Sequence, residues 1–347
     1  MTLAESGFNK FSARPRKAVR FSSESLIKTR YLDPQTRLPL VIEPAAEGVN
    51  LIEWIRGQRD YVADELAKHG GILFRGFNLS TVGEFETFVE AAFGASLRYT
   101  ERSSPRSNVS GNIYTSTDYP PPETIFLHNE QSYNLTFPSK ILFFCVTPAE
   151  QGGETPIADS RKVLARIPAE IRDRFIERGY QYVRNFGDGL GLSWQEAFQT
   201  SDPAAVEAYC RAHEIDFEWK EEGRRLRTRQ VRRVLAQHPR DGQLTWFNHL
   251  TFFHIDSLAP HIREAVLAEF SMENLPNNTY YGDGSPIEPE VMETLRQIYR
   301  EETIAFPWQK GDVLMLDNML TAHGRAPFSG ARKIVVGMAD QTEWANC

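Results

Sequence analysis

The chain has 347 residues, of which 41% are hydrophobic and 24% are charged, with a formal net charge of −7 and a pI near 5.7. This composition is typical of a globular protein with enough apolar side chains to form a core. The acidic balance argues against nucleic-acid and anionic-membrane partners, because both require a clustered basic surface. No apolar run approaches membrane-spanning length, and the polar, basic N-terminal residues contain no signal-peptide core.

The three cysteines, Cys145, Cys210 and Cys347, show neither metal-binding nor disulfide spacing. An odd count without a pattern fits no disulfide framework and favours a reducing, cytoplasmic environment. Cys145 lies inside the apolar run ILFFCV, which predicts a buried core thiol. We therefore expect free thiols and a cytoplasmic location.

The first part of the chain predicts helices around one short strand. Residues 1–30 have the composition of a loosely ordered arm. Apolar residues at helical spacing predict a helix over residues 50–69, with Asn50 as its N-cap. GGILFRGF predicts a buried strand over residues 72–75. Residues 96–123 are rich in Ser, Asn, Thr, Tyr and Pro, which indicates a long binding loop or lid.

Strands are predicted again in the middle of the chain and at its end. Residues 141–146, 312–316 and 333–339 carry short apolar runs typical of buried strands, whereas residues 160–300 predict mostly helices. Strands on both sides of a helical region indicate an α+β chain around a closed or double-sheet β core. We expect a single domain over residues 1–347, with the helix-rich region as an insertion.

The sequence His128-Asn129-Glu130 is the first candidate for chemistry. On an extended strand, residues two apart point to the same face, so His128 and Glu130 would lie side by side with Asn129 turned away. An imidazole and a carboxylate are two thirds of the 2-His-1-carboxylate set that suits non-haem Fe(II). The alternative is a polar strand end, and a third ligand elsewhere in the chain would decide between them.

Among the eight histidines, His323 has the most suggestive surroundings. It follows the strand and turn GDVLMLDN, and a further strand begins after it near Arg332. A histidine where a strand emerges, with an arginine on the next strand, is what a site for a metal and a carboxylate needs. His249 and His254, in TWFNHLTFFH, are predicted as pocket wall or core, with a substrate-facing role left open.

The order of these motifs resembles the taurine dioxygenase-like (TauD/TfdA) family of Fe(II)/2-oxoglutarate oxygenases. The resemblance covers about residues 60–339, and GGILFRGF is also typical of that family. The motifs in chain order are His128-x-Glu130, Gly153-x-Thr155, GDVLMLDN, His323 and Arg332. HNEQSY, YVRNFG, GLSWQEAFQT, TWFNH, YYGDGSPI and HGRAPF further resemble the SyrP-like branch, which is found with nonribosomal-peptide pathways. That branch shares glutamate at the carboxylate position with clavaminate synthase-like amino-acid oxygenases.

The resemblance implies a double-stranded β-helix, or jelly roll, with the metal held at its open end. It implies His128, Glu130 and His323 as ligands of Fe(II). It also implies that Thr155 and Arg332 hold the distal carboxylate of 2-oxoglutarate, which is sound chemistry because a guanidinium fork and a hydroxyl satisfy a buried carboxylate. O2 would be the second co-substrate.

Arg332 departs from the family pattern in its spacing. It follows His323 by nine positions (332 − 323), closer than in taurine dioxygenase itself. Lys333 is the neighbour that competes for the same role, and strand alternation allows only one of the two to face inward.

The implied reaction is hydroxylation of an unactivated C–H of an amino acid, free or tethered to a carrier protein, in natural-product biosynthesis. Desaturation or cyclisation of a small carboxylate substrate is the alternative outcome. Glu130 argues against the halogenases of the superfamily, which lack this carboxylate. Arg325 is predicted to bind a substrate carboxylate or to form a structural ion pair. The predicted pocket-wall residues are Asn248, Trp246, Tyr133 and Asn185.

Two other classes of protein remain open from the sequence. A zinc hydrolase would use the same two histidines and glutamate, but would leave Thr155 and Arg332 unexplained. A non-catalytic jelly-roll binding protein would have no reason to keep the ligand set. The basic run over residues 224–233 reads as a solvated face beside acidic residues, or as a docking surface for an acidic carrier protein.

Overall fold

The computed structural model describes residues 26–99, 101, 103, 106–117, 119–187 and 190–347. Most of the predicted N-terminal arm, residues 1–25, lies outside the described residues, and the end of that predicted arm belongs to the first strand. The strands are β1 Ile27–Tyr31, β2 Leu40–Pro44, β3 Gly71–Phe74, β4 Asn108–Ser110, β5 Ile113–Thr115, β6 Ile125–His128, β7 Thr136–Thr147, β8 Gln151–Gly152, β9 Ile157–Asp159, β10 Tyr180–Phe186, β11 Asp216–Lys220, β12 Arg225–Arg232, β13 Leu235–Gln237, β14 Leu244–Trp246, β15 Asn277–Tyr281, β16 Val313–Asp317, β17 Thr321–Arg325, β18 Phe328–Ser329 and β19 Lys333–Glu343.

Helices flank these strands at both ends of the core. The α-helices are α1 Leu51–Gly57, α2 Arg59–His69, α3 Val82–Phe93, α4 Ser160–Arg166, α5 Ala169–Arg178, α6 Trp194–Phe198, α7 Pro203–Ala212, α8 Leu250–Phe253, α9 Pro260–Glu269 and α10 Pro289–Glu301. Asn50 caps α1 as predicted, its side chain accepting from two backbone N–H groups. The single helix predicted over residues 50–69 is instead two helices, which meet at the non-helical Gln58.

The larger sheet of the core is buried on both faces. Its strand order is β1-β2-β3-β16-β7-β19-β5-β4. Along β16, Val313 and Met315 pack against the helices α1 to α3, whereas Leu314 and Leu316 pack on the other side in a separate core. Because both faces are covered, the central strands read as continuous apolar runs such as VLML and ILFFCV rather than as alternating patterns.

The smaller sheet has the strand order β6-β17-β9. One of its faces packs against the inserted region, and the other faces the larger sheet. Its outward residues, Leu127, Ala158 and Ala322, pack into the core of the inserted region. Ile157, one position from Ala158, packs instead with the larger sheet. This period-two alternation turns the histidine after Ala322 into the space between the two sheets. The two sheets form the predicted jelly-roll core.

The inserted region is not purely helical, as residues 160–300 predict, because it also contains a four-stranded sheet of order β11-β12-β10-β15. Strands β10 and β12 hold buried arginines among their apolar residues, so their sequences do not show a clean strand pattern. The sheet and its helices cover the outer face of the smaller core sheet. Within the described ranges, no helix is both long and apolar enough to cross a membrane.

The basic run at residues 224–233 is divided by the pleat of β12. Arg227 and Arg232 are buried and donate to side-chain and backbone acceptors around them. Arg225 and Arg229 remain nearer the surface, where each forms an ion pair with a glutamate. The run is therefore partly structural and is not one continuous basic patch.

A buried ion pair joins the start of the chain to its end across the larger sheet. Arg75 follows β3, and its guanidinium donates to both carboxylate oxygens of Asp312, at 3.0 Å from Nε and 2.6 Å from Nη2. The Asp312 side chain is 1% exposed, and Arg75 is its counter-charge. The pair fixes β3 beside β16 at the point where β16 begins.

We expect Arg75→Met to lower the free energy of unfolding by about 3–5 kcal/mol, because it leaves a buried carboxylate without its counter-charge. Urea denaturation of the wild type and the variant measures this loss. Arg30→Met is the matched control, since it breaks an ion pair with Glu43 whose arginine side chain is 46% exposed. That control should cost about 1 kcal/mol or less. Equal losses in the two variants would contradict a structural role for the buried pair.

Candidate metal centre

Two histidines face each other across neighbouring strands of the smaller sheet. His128 ends β6 and His323 lies in β17, and the two residues are direct partners in the antiparallel register. Their ring centroids are 4.5 Å apart. Gly324 permits this close pairing, since a Cβ there would stand 2.5 Å from the backbone oxygen of Ile125. The histidines are therefore brought together by the sheet itself.

Glu130 completes the group, but from a turn rather than from a strand. The prediction that His128 and Glu130 share an extended strand is wrong, because β6 ends at His128. The following turn includes Gln131 in the left-handed region, with φ of 54°. Ligand atoms of His128, Glu130 and His323 all lie within 4.8 Å of one another, and all three residues are buried.

Asn318 holds this turn in place, a role that sequence reasoning missed. Its side-chain oxygen accepts from the Glu130 N–H at 2.7 Å, and its Nδ2 donates to the Glu130 carbonyl at 2.8 Å and to the Pro138 carbonyl at 2.7 Å. Asn129 returns the contact by donating to the Asn318 carbonyl at 2.7 Å. The only sequence signal was the position of Asn318 at the end of GDVLMLDN.

The protonation states of the three side chains suit a divalent metal. Burial and then the neighbouring His323 lower the pKa of His128 to about 3, and burial also lowers the pKa of His323. Burial alone would raise the pKa of Glu130, but Arg106 and His323 bring it well below its usual value. His128 donates through Nδ1 to the Phe126 carbonyl at 2.9 Å, which leaves Nε2 unprotonated for a metal. Neutral imidazoles and an ionised carboxylate are the forms that bind metal.

The residues predicted to hold 2-oxoglutarate line the same cavity. We call this cavity the metal pocket; its described lining includes His128, His323, Thr155, Arg332, Arg325 and Arg106. Arg332 lies in the pocket wall, whereas Lys333 is exposed. Burial and the neighbouring Arg325 lower the pKa of Arg332 to about 10, so the guanidinium stays charged at neutral pH.

The backbone conformation and surroundings of residue 153 explain why the Gly153-x-Thr155 motif begins with glycine. Gly153 has φ of 73°, and a Cβ at this position would stand 3.0 Å from the Arg332 side chain. The Gly153 carbonyl instead accepts from Arg332 Nε at 2.8 Å, while Arg332 Nη1 donates to Ser116 at 3.2 Å. Trp308 donates to the Thr155 hydroxyl at 3.3 Å. The arginine and the threonine are thus both held in position within one pocket.

Comparison with known proteins agrees with this geometry. Residues 29–339 match the taurine catabolism dioxygenase TauD, TfdA family. The chain belongs to the TauD/TfdA family. It is accordingly an Fe(II)/2-oxoglutarate-dependent dioxygenase that acts on a small-molecule substrate. The family resemblance stated from the sequence is confirmed, and the SyrP-like branch stays a prediction.

Individual relatives support the same assignment. The dapdiamide synthesis protein DdaC of Enterobacter agglomerans is 42% identical over 275 residues, which are 79% of this chain and 83% of DdaC. A clavaminate synthase-like protein of Arabidopsis thaliana, At3g21360, is 29% identical over 321 residues, 86% of this chain and 93% of its own length. The structure of PvcB from Pseudomonas aeruginosa shares the fold, with a TM-score of 0.54 at 14% identity and 94% of each chain covered.

In this TauD/TfdA-family dioxygenase, Arg325 lines the metal pocket but its terminal nitrogens are already engaged. Nη1 donates to the Tyr119 carbonyl at 2.8 Å, and Nη2 donates to the carbonyls of Pro120 and Glu123 at 2.7 and 2.9 Å. Arg325 therefore fastens the loop before β6 against β17. The sequence offered a structural ion pair as the alternative role. The hydrogen-bond partners of Arg325 are instead backbone carbonyls.

The described lining of the metal pocket does not include the four predicted pocket-wall residues. Asn248 and Asn185 use their amide groups on backbone acceptors within the inserted region. Tyr133 is fully buried and donates to the Glu101 carbonyl at 2.8 Å. Trp246 packs in the core of the inserted region. Aromatic and amide side chains are equally suited to a binding surface and to a hydrogen-bonded core. The sequence therefore could not separate these two roles.

His249 lies directly beside one of the metal ligands. Its ring centroid is 5.1 Å from that of His128, and its Nδ1 is 2.6 Å from the Ser132 hydroxyl. Burial lowers the pKa of His249 well below its usual value, so the ring is neutral. His254 instead accepts from the Asp256 N–H at 3.2 Å and caps a short turn. His249 is therefore a neutral, buried side chain that packs against the metal ligand His128.

We expect Asn318→Ala to weaken Mn(II) or Fe(II) binding by about 10–100-fold while leaving all three ligands in the chain, because it frees the turn that carries Glu130. Titration calorimetry with Mn(II) measures the change. The matched control is Asn278→Ala, since Asn278 is also buried and accepts from a backbone N–H, that of Ile255, at 3.0 Å. The control should lose stability but keep its metal affinity. A similar loss of affinity in both variants would show that Asn318 acts only through general stability.

Proposed function

We propose that this dioxygenase hydroxylates an unactivated C–H of an amino-acid-like small molecule in the biosynthesis of a natural product. The observation that carries the proposal is a single pocket lined by His128, His323, Thr155 and Arg332, with the Glu130 carboxylate beside the two histidines. DdaC, whose name refers to dapdiamide synthesis, and PvcB, described as an oxygenase from an isonitrile synthetic pathway, support a biosynthetic role.

Each residue of the pocket has a defined part in this proposal. His128, Glu130 and His323 would hold Fe(II), and this set fits because the imidazoles are neutral and the carboxylate is ionised. Thr155 and Arg332 would bind the distal carboxylate of 2-oxoglutarate. When bound, Fe(II) with 2-oxoglutarate and O2 supplies an oxidation that releases succinate and carbon dioxide.

The remaining walls of the pocket protect this chemistry from water. Ile125, Phe143 and Val336 supply apolar surface to the lining. The ring of Phe143 lies 5.1 Å from that of His323, so the larger sheet covers one side of the metal centre. An apolar lining also suits a substrate with an aliphatic carbon to be oxidised. Desaturation or cyclisation would use the same residues and differ only in the fate of the oxidised carbon.

We expect purified protein supplied with Fe(II), ascorbate and 2-oxoglutarate to release succinate when the amino acid that it oxidises is present. His128→Ala should reduce this release to the level of metal-free protein, because the ligand set loses one of its two imidazoles. Mass spectrometry of the reaction should show a gain of one oxygen atom in the substrate. His261→Ala is the matched control, since His261 is a surface histidine with a side chain 71% exposed. Succinate release that is the same in wild type and His128→Ala across a broad amino-acid panel would contradict the proposal.

Presentation of the amino acid on an acidic carrier protein is the finer form of this proposal. The supporting feature is the surface part of the basic run, in which the Arg224 side chain is 79% exposed and that of Arg229 is 34% exposed. Both arginines already face glutamates of the same chain, so a carrier would have to compete for them.

Reversing these charges tests the carrier interaction directly. We expect Arg224→Glu combined with Arg229→Glu to slow association with an acidic carrier protein about tenfold at low salt, and the difference should shrink as salt screens the charges. Turnover of a free amino acid should not change. Carrier binding that is unaffected by the reversal would remove this surface from the proposal.

A further inference from the structure

Arg106 occupies an unusual position beside the metal ligands. It lies in the segment before β4, and its side chain is 5% exposed. Its Nη2 donates to Glu130 Oε2 at 2.7 Å, and its guanidinium carbon stands 4.9 Å over the ring of Tyr99. A charged guanidinium therefore stands within the metal pocket.

Most of the hydrogen-bonding capacity of Arg106 is unused. Its Nε and Nη1 are buried and have no hydrogen-bond partner among the described residues. A buried donor without a partner destabilises the protein, and more so when the group is charged. The single bond to Glu130 would be enough if Arg106 served only to orient that carboxylate. The two unpaired nitrogens point to a further acceptor that the protein chain does not itself supply.

The other two arginines of the metal pocket already donate hydrogen bonds to acceptors of the protein itself. Arg332 donates to Gly153 and Ser116 and stands with Thr155, where the distal carboxylate of 2-oxoglutarate is proposed to bind. Arg325 donates to three backbone carbonyls of the preceding loop. Among the described residues, Arg325 leaves one buried nitrogen, Nε, without a hydrogen-bond partner, whereas Arg106 leaves two, so Arg106 has the greater capacity for another ligand.

The charges of the pocket favour an anion as that ligand. Arg106, Arg325 and Arg332 contribute three positive charges among the described lining residues, and Glu130 contributes one negative charge. Fe(II) and the 2-oxoglutarate dianion cancel each other formally, so loading the cofactors leaves the excess of positive charge in place. A substrate carboxylate would reduce it, and guanidinium groups bind carboxylates with charge-assisted hydrogen bonds.

We propose that Arg106 binds a carboxylate of the substrate and so selects acids over their neutral analogues. This inference rests on the proposed function. It narrows the substrate class to molecules with a carboxylate that stays free during oxidation. An aminoacyl group on a carrier protein has lost its α-carboxylate to the thioester bond, so a tethered substrate would need a second acidic group in its side chain.

A binding experiment without turnover tests this proposal. The protein is loaded with Mn(II) and N-oxalylglycine, an unreactive analogue of 2-oxoglutarate, and loading is measured first by calorimetry. The probes are the proteinogenic L-amino acids and their α-carboxamides, and binding is read from the enhancement of probe proton relaxation by Mn(II). We expect wild type to bind acids about tenfold to a hundredfold more tightly than the matching amides, as charged hydrogen bonds predict.

The variants distinguish substrate binding from orientation of Glu130. Arg106→Met should abolish the preference for acids while the affinity for amides changes little, and Arg106→Lys should keep part of the preference because it keeps the charge. Arg240→Met removes an exposed arginine outside the pocket and should leave the preference unchanged.

Three results would overturn the inference. The first is that wild type binds no acid more tightly than the matching amide. The second is that the preference for acids survives in Arg106→Met. The third is that Arg106→Met loses only its binding of Mn(II) or N-oxalylglycine. If wild type binds neither Mn(II) nor N-oxalylglycine, the proposed function itself fails, and the first measurement separates that failure from the other three.

Discussion

The metal centre depends on the antiparallel pairing of β6 with β17. That pairing sets His128 opposite His323 at a ring distance of 4.5 Å, although the two residues are far apart in the chain. The pleat of the same sheet sends Ala322 and Leu127 to the opposite face, where the inserted region covers them. A slip of one residue in this register would turn one of the two histidines away from the pocket. The insertion therefore contributes to the site indirectly, by burying the face that must not turn inward.

The third ligand is held by a different kind of contact. Glu130 lies in a turn, and the amide side chain of Asn318 pairs with its backbone N–H and carbonyl much as a neighbouring strand would. Asn318 directly follows β16, which the buried pair of Arg75 and Asp312 fixes at its other end. The position of one carboxylate is thus linked, through a single strand, to the packing of the larger sheet.

Electrostatics make the pocket suitable for a divalent metal and for anions. Burial keeps the histidines neutral, and the guanidinium of Arg106 keeps Glu130 ionised despite that burial. The same guanidinium adds positive charge that the chain does not balance within the described lining of the pocket. One arginine therefore connects the state of a metal ligand with the charge of the molecule that the pocket can accept.

The sequence by itself determined the fold class and the family, because these depend on local patterns: apolar runs on strands and a fixed order of short motifs. It also named His128, Glu130 and His323 as candidate ligands, three residues that the fold brings together. The family resemblance favoured Arg332 over Lys333 for the 2-oxoglutarate site, and Arg332 is the one of the two that lines the pocket. Only the tertiary structure decided what the remaining polar residues do. Arg325 and Asn185 became structural, and Arg106 and Asn318 became part of the site, because the role of a polar side chain depends on which partners the fold brings within hydrogen-bond distance.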